Sequence, residues 1–430
     1  MGRFPPGHLG AAIKIEISAG GSFQTEQMDV SRIREDFPIY QSEERDIVYL
    51  DNACQTFRPR AVIQAMSRYY DLYPACGGRS VHRLATQVSV EVDEARESMA
   101  RFLGASRAEE IAFTKNCTEA LNLVAKGLSW RKEDVVVTTD QEHNSNHVPW
   151  LQLRSARGLR RRIVLTPSSG IFDMEAFKRA MSREVKMVSM VHVNNITGTT
   201  LPAREIAEVA HDHGALVMFD GAQSTPHRKV DVQRIGADFY AVSVHKMLGP
   251  SGMGVLYGRM ELLKDLEPLI TGGGGVSLTT PDRADLLPPP ERFEAGLQNY
   301  AGIIGAGAAV NYLTQLGMDE VRDHDAKLNL RATSKVRDIE GVSILAPLDA
   351  EARGSILSFN IKGMSSHDVA MIMDEVAKVM VRSGMHCVHP YFVARRLDGC
   401  ARASFYIYNG EEDVDRFSET VKEVASKFSM

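Results

Sequence analysis

The chain has 430 residues, 44% of them hydrophobic and 24% charged, which is enough apolar material for a large core spread over two or three domains. A formal net charge of -5 without basic tracts gives no footprint for nucleic acid or an anionic membrane surface, and no apolar run approaches the roughly 18 residues of a spanning helix. The five cysteines (Cys54, Cys76, Cys117, Cys387 and Cys400) are scattered, odd in number and without CxxC spacing; this argues against a disulfide framework and a structural metal site, and for a reducing, cytoplasmic setting.

Residues 1–27 are rich in Gly and Ser and read as a flexible extension. In the segment 28–45, expected to pack with the small domain, VSRIREDFP reads as a short helix stopped by Pro38. IVYLDNA then gives an extended run ahead of a turn. Within a large domain expected over 46–311, the chain alternates, between about residues 60 and 260, amphipathic stretches with short apolar runs: EIAFT, DVVVTT, RIVLT, VKMVSMVHV, ALVMFD and FYAVSV. That alternation predicts an α/β fold with a mostly parallel central sheet and helices on both faces. GGGGVSLTTPDRADLLPPP reads as a loop, and ERFEAGLQNYAGIIGAGAAVNYLTQLG as a long small-residue helix. From 312 to 430, GSILSFNIKG, VMVRSG and ARASFYIYN are strand candidates. The helices SSHDVAMIMDEV and EEDVDRFSETVKEVASKF separate and follow them, giving a smaller α+β domain.

The most specific local signal is SVHKMLGPSGMGVLYG, where Lys246 follows an apolar strand and precedes a Gly/Pro-rich turn. An amine exposed at a strand's carboxyl edge sits where open α/β sheets bind ligands, and partial desolvation there lowers its pKa enough for Schiff-base chemistry. An isolated lysine of this kind is usually a surface residue, so a partner is needed. Asp220, at the end of ALVMFD and one βαβ step upstream, is that partner. A pyridoxal phosphate (PLP) site needs both groups, the amine for the Schiff base and a carboxylate against the pyridinium nitrogen. FTKNCTEALNLVAKGL adds a strand running into a helix N-terminus, where Thr118 is either a cap or a phosphate ligand.

The motifs YLDNA, VHRLA, TKNCTEALNLVA, DQEHNSNHVPW, HVNNITGTTLP, FDGAQSTPH, SVHKMLGPSGMGVLY, GGGGV, FEAGLQN, RSGMHC and RASFYIYN follow one another in this order. Together they resemble the class V aminotransferase group of fold-type-I PLP enzymes, and within it the SufS-type (group II) cysteine desulfurases and selenocysteine lyases. The resemblance runs from about Val48 to the C-terminus. It implies Lys246 as the Schiff-base lysine, Asp220 against the pyridine nitrogen, Gln223 against the phenolic oxygen and His143 stacked on the ring as an acid/base. It implies Cys117, Thr118, Ser243 and His245 around the phosphate, and Asn195, Arg382 and His386 at the substrate. Cys387 becomes the nucleophile that takes sulfur from L-cysteine as a persulfide, with His386, His389 and Arg382 near enough in sequence to supply positive charge.

The resemblance further implies a homodimer and a protein sulfur acceptor of the SufE or SufU kind, or a scaffold, serving iron–sulfur cluster or other sulfur-compound biosynthesis. L-selenocysteine is the alternative substrate. A cysteine or cystine β-lyase, an epimerase and, remotely, a non-catalytic sulfur-assembly scaffold are the rival functions. Leu297 stands where the family commonly has a threonine that reaches the partner subunit's phosphate, Cys117 where it has threonine or alanine, and Met385 where a second histidine is frequent. Cys54 falls in the turn after the DNA motif.

Overall fold

In a computed structural model, which describes residues 28–428, each apolar run read as a strand contains one, except that VMVRSG splits into two short strands of different sheets and ARASFYIYN is strand only as far as Ser404. The segment 1–27, expected to be a flexible extension, lies outside the described residues. After β1 (Val48–Tyr49) come β2 (Ile111–Thr114), β3 (Val135–Thr139), β4 (Arg160–Val164), β5 (Val185–Val191), β6 (Leu216–Asp220), β7 (Phe239–Ser243) and β8 (Gly254–Gly258). The last seven form one sheet in the order β2-β8-β7-β6-β5-β3-β4. Neighbours from β7 through β4 pair in parallel, whereas β8 is antiparallel to both β7 and β2.

Why these runs are continuously apolar is visible in how they pack. Tyr240 and Val242 face one apolar layer while Phe239 and Ala241 face the other; Val135 and Val137 likewise oppose Val136. Successive strand residues point to opposite faces, so a sheet covered on both sides needs apolar residues at every position. Helices Arg83–Leu103, Met174–Ala180, Ala203–Asp212 and Tyr300–Leu316 cover the first face, and Cys117–Gly127, Val148–Arg157 and Met260–Asp265 the second. Each large side chain buried in these layers contributes about 1.5–3 kcal/mol.

Two sequence expectations change here. The stretch expected to be a loop contains a hairpin of β9 (Val276–Thr279) and β10 (Ala284–Leu286), closed by Thr280 N–H donating to Arg283 O at 2.7 Å. Most of its side chains are exposed, so no apolar alternation announced it. The long helix starts only at Tyr300, where Asn299 Oδ1 accepts from Gly302 N–H at 3.0 Å. Before it, Gly296 sits at φ 91°, outside any helix.

The remaining strands are β11 (Val342–Ile344), β12 (Ile356–Ile361), β13 (Val379–Met380), β14 (Arg382–Gly384) and β15 (Cys400–Ser404). β11, β12, β15 and β14, in that order, form an antiparallel sheet packed against helices Met318–Val336, Ser366–Ala377 and Glu411–Phe428. The first of these helices had no sequence signal because its buried stripe includes Asp325, Asn329 and Thr333. β1 pairs in parallel with β13, and Val48 and Leu50 lie in the small sheet's apolar core. This stretch was expected in the large domain and instead packs with the small one. The segment ahead of it is tied down by Arg34, whose guanidinium meets Glu412 at 3.0 Å and Asp413 at 2.6 Å, and by Phe37 against Tyr312 and Tyr408. Among the described residues no helix is long and apolar enough to cross a membrane.

Candidate active site

β6 ends on Asp220 and β7 on Ser243, and because the strands are parallel neighbours both carboxyl ends open on one edge of the sheet. The chain leaves β7 through the turn Val244–Lys246, which places Lys246 at that edge. Burial pushes the Lys246 amine below its ordinary pKa; the nearby Asp220 carboxylate opposes this and Arg402 adds to it. β2 and β7 are each antiparallel to β8 and so run in the same direction, which delivers helix Cys117–Gly127 to the same edge.

Asn116 caps that helix, its Oδ1 accepting from Glu119 N–H at 2.9 Å. The N–H groups of Cys117 and Thr118 are left without intrahelical acceptors. β8 passes so close beneath that a Cβ on Gly254 would stand 2.4 Å from the Asn116 carbonyl carbon. Cys117 is buried and donates to Asp220 Oδ1 at 3.3 Å; burial, then the Asp220 charge, push its thiol well up. The same oxygen accepts from Ala222 N–H at 2.9 Å, and Oδ2 has no protein partner among the described residues. Thr118 Oγ1 lies 2.6 Å from Ser145 Oγ.

His143 follows β3 at the same edge. Ser145 N–H donates to its Nδ1 at 3.1 Å, which leaves the ring proton on Nε2. Burial, then the Lys246 charge, lower the His143 pKa to about 4, and the same two causes bring His245 to about 4. Gln223 Nε2 donates to Ala53 O at 2.7 Å, and its Oε1 is buried without a partner.

The opposite wall comes from the small sheet. Arg382 on β14 stands directly across from Arg402 on β15, a like-charge pair that would be unfavourable alone. Asp51 lies between them, Oδ1 at 3.2 Å from Arg402 Nη2 and Oδ2 at 3.6 Å from Arg382 Nη1. Arg402 is buried, donates Nη1 to Asn195 O at 2.8 Å and keeps an unpartnered Nε. Asn195 Nδ2 donates to His386 O at 2.9 Å, and its buried Oδ1 has no partner. Arg382 also donates Nη1 to Cys54 Sγ at 3.1 Å.

Cys387 is exposed on the loop after β14. His386 and Cys387 take φ values of 46° and 59°, left-handed backbone that costs of order 1 kcal/mol per residue. The loop is fastened by the Asn195 bond and by Asn144 N–H donating to Cys387 O at 2.6 Å. His386 does not supply positive charge to the thiol as the sequence suggested. Its Nε2 faces Cys400 O at 3.0 Å, and burial, then Arg402, lower its pKa to about 2, so the ring is neutral.

Every residue assigned from the sequence to catalysis, cofactor or substrate lines one cavity of about 280 Å³, Lys246, Asp220, Gln223, His143, Cys117, Thr118, Ser243 and His245 on the sheet side and Asn195, Arg382, His386 and Cys387 on the other, whereas His389 is not among its lining residues. Arg402, Cys54 and Ser145 line it too and had not been assigned a role. Arg402 carried a usable signal, since a charged residue inside the otherwise apolar and small-residue run CARAS must find partners when buried. The cavity joins a desolvated amine, a carboxylate with a free oxygen, a helix N-terminus able to take an anion, two guanidinium groups and a thiol.

An aminotransferase class-V family model matches residues 48–417. A relative from Methanothermobacter thermautotrophicus named "Probable cysteine desulfurase" is 40% identical over 93% of this chain and 98% of its own length. One from Haloferax volcanii named "Cysteine desulfurase" is 37% identical over 94% of this chain and 98% of its own. The solved apo cysteine desulfurase of Thermococcus onnurineus NA1 superposes with a TM-score of 0.89 at 36% identity, covering 94% of this chain and all of that one.

Proposed function

This chain belongs to the aminotransferase class-V family, and we propose that it is a PLP-dependent cysteine desulfurase, converting L-cysteine to L-alanine with the sulfur held as a persulfide on Cys387. The observation that carries this reading is the Cys387 thiol in the same cavity as the desolvated Lys246 and Asp220.

The residues present suit PLP: Lys246 for its aldehyde, Asp220 Oδ2 for its ring nitrogen, the orphaned Gln223 Oε1 side chain beside them, and the helix N-terminus with Thr118, Ser243 and His245 for its phosphate. When bound, PLP supplies an electron sink that makes the substrate's Cα–H and Cβ–S bonds labile. Around it the chain's own groups do the positioning. Arg402 holds the substrate carboxylate through its unpartnered Nε, and Asn195 through the second N–H of its Nδ2, the first being donated to His386 O. Arg382, expected from the sequence in that role, is engaged with Cys54 and Asp51 and stands closer to the thiols.

Lys246 Nζ, its pKa lowered by burial, takes and returns the Cα proton. His143, neutral with its proton on Nε2, packs beside the ring site. The thiolate of Cys387 attacks the substrate sulfur; the Cβ–S bond breaks, its electrons end in a new C–H bond, and alanine leaves. L-cysteine and one enzyme thiol thus give alanine and one enzyme persulfide, with no external oxidant.

The short loop around Cys387 supports a SufS-type reading, in which the enzyme is a cytoplasmic homodimer that passes its sulfur to an acceptor protein of the SufE or SufU kind. Functionally, the sheet of the 46–311 segment supplies the cofactor side of the cavity, and 312–430, joined by Asp51, Cys54 and Asn195, the thiol side. Without reductant, the PLP-loaded enzyme is expected to release alanine one for one with the persulfide sulfur it gains. Pyruvate and ammonia in place of alanine would mark it as a β-lyase instead.

A further inference from the structure

The turn after β1 brings a second thiol into the active-site cavity. Residues 51–54 are fixed against the small sheet: Asn52 Nδ2 donates to Ser404 O at 2.6 Å, Ala53 N–H to Ser404 Oγ at 2.9 Å, and Cys54 N–H to Asp51 O at 3.0 Å. Cys54 and Cys387 both line the cavity. They flank one guanidinium: Arg382 donates to Cys54 Sγ at 3.1 Å, and both thiols contribute to raising the Arg382 pKa against its burial. A cation beside sulfur is the setting in which thiols act as nucleophiles. The cavity at this point is built for a ligand, since Arg402 and Asn195, 2% and 5% exposed, present unpartnered Nε and Oδ1 atoms there.

We propose that Cys54 is a sulfur-relay residue that takes the sulfane sulfur from the Cys387 persulfide within the same active site. Resting on the desulfurase reading, which supplies the persulfide, the step is a thiol exchange. The Cys54 thiolate attacks the terminal sulfur of Cys387–S–SH, a Cys54 S–S bond forms, the Cys387 S–S bond breaks, and its electron pair returns to Cys387 as thiolate. The proton stays on the transferred sulfur, and one persulfide replaces another without net oxidation. Arg382 stands where it can neutralise the anion on either side of the exchange. The relay frees Cys387 for a second L-cysteine while the first sulfur waits on Cys54.

The test gives PLP-loaded enzyme, without reductant, limiting and then excess L-cysteine, quenches with an alkylating reagent, and maps the peptides carrying one extra sulfur by mass spectrometry. The expected result is label on the Cys387 peptide first and on the Cys54 peptide after it. In Cys54→Ser the second labelled peptide is lost and turnover with a thiol acceptor falls, while the bound cofactor's absorbance band shows that the variant is folded. Cys76→Ser, altering an exposed thiol outside the cavity, keeps both labelled peptides. Label confined to Cys387 at every time, a Cys54–Cys387 disulfide with released sulfide, or undiminished turnover in Cys54→Ser would each overturn the relay. Absence of alanine from the wild type would instead sink the desulfurase reading, and the relay with it.

Discussion

The two sides of the cavity are built on different principles. The sheet side is a set of strand ends: Asp220, Ser243 and Lys246, together with the helix start at Cys117, are where they are because β2, β6 and β7 end at one edge of the sheet. Its groups are buried, burial is the largest cause of the pKa shifts at Cys117 and Lys246, and backbone pairing fixes the strand ends. The thiol side is assembled from segments hundreds of residues apart, Cys54 from the first turn and Arg382, Cys387 and Arg402 from the last sheet, and is held by ion pairs and single hydrogen bonds. Rigid strand ends suit a cofactor that stays; a strained, exposed loop suits a sulfur that must leave.

The comparison predicts where damage is largest. Lys246→Ala removes the amine on which the sheet side converges, and alanine formation should drop by at least about 10³-fold with loss of the cofactor's visible band. A variant that turned over normally would deny Lys246 its place. Asp220→Asn keeps shape and loses charge; a charged hydrogen bond of about 1.5–3 kcal/mol corresponds to a fall of roughly 10- to 100-fold in kcat, measured at saturating PLP.

On the thiol side, effects should appear first in substrate binding. Arg402→Lys retains charge but loses the planar fork, so KM for L-cysteine should rise about tenfold while the cofactor band stays. If Arg382→Lys raised KM and Arg402→Lys did not, the carboxylate would belong to Arg382, as the sequence had suggested.

Legibility followed the same division. The Lys246–Asp220 pair and the helix start could be read from local pattern, because a strand followed by a turn is a short-range signal. Cys387, His143, Asn195 and Arg382 came only from the resemblance, since nothing local separates a catalytic cysteine from a buried one. Arg402 escaped because its meaning depends on Asp51 and Asn195, far away in the chain. The neutrality of His386 was equally invisible: nothing in RSGMHC shows that the ring is buried, with Arg402 nearby to disfavour its charge further.

The smallest effect concerns pH. His143 has a lowered pKa of about 4, so its ring is neutral above that value and charges only as pH falls through it. Between pH 5 and 7 the kcat profile should therefore show no histidine limb, with activity failing only near pH 4. An acid limb near 6.5 that disappears in His143→Gln would mean the ring is solvated and charged more easily than its burial requires.

The most direct test of the central claim, that both sides meet to move sulfur onto Cys387, is alanine production by PLP-loaded Cys387→Ala beside the wild type. Wild type should form alanine in step with persulfide, and the variant should keep the cofactor's absorbance yet make no alanine. A variant that forms alanine at the wild-type rate would contradict the persulfide mechanism and leave the thiol side without its function.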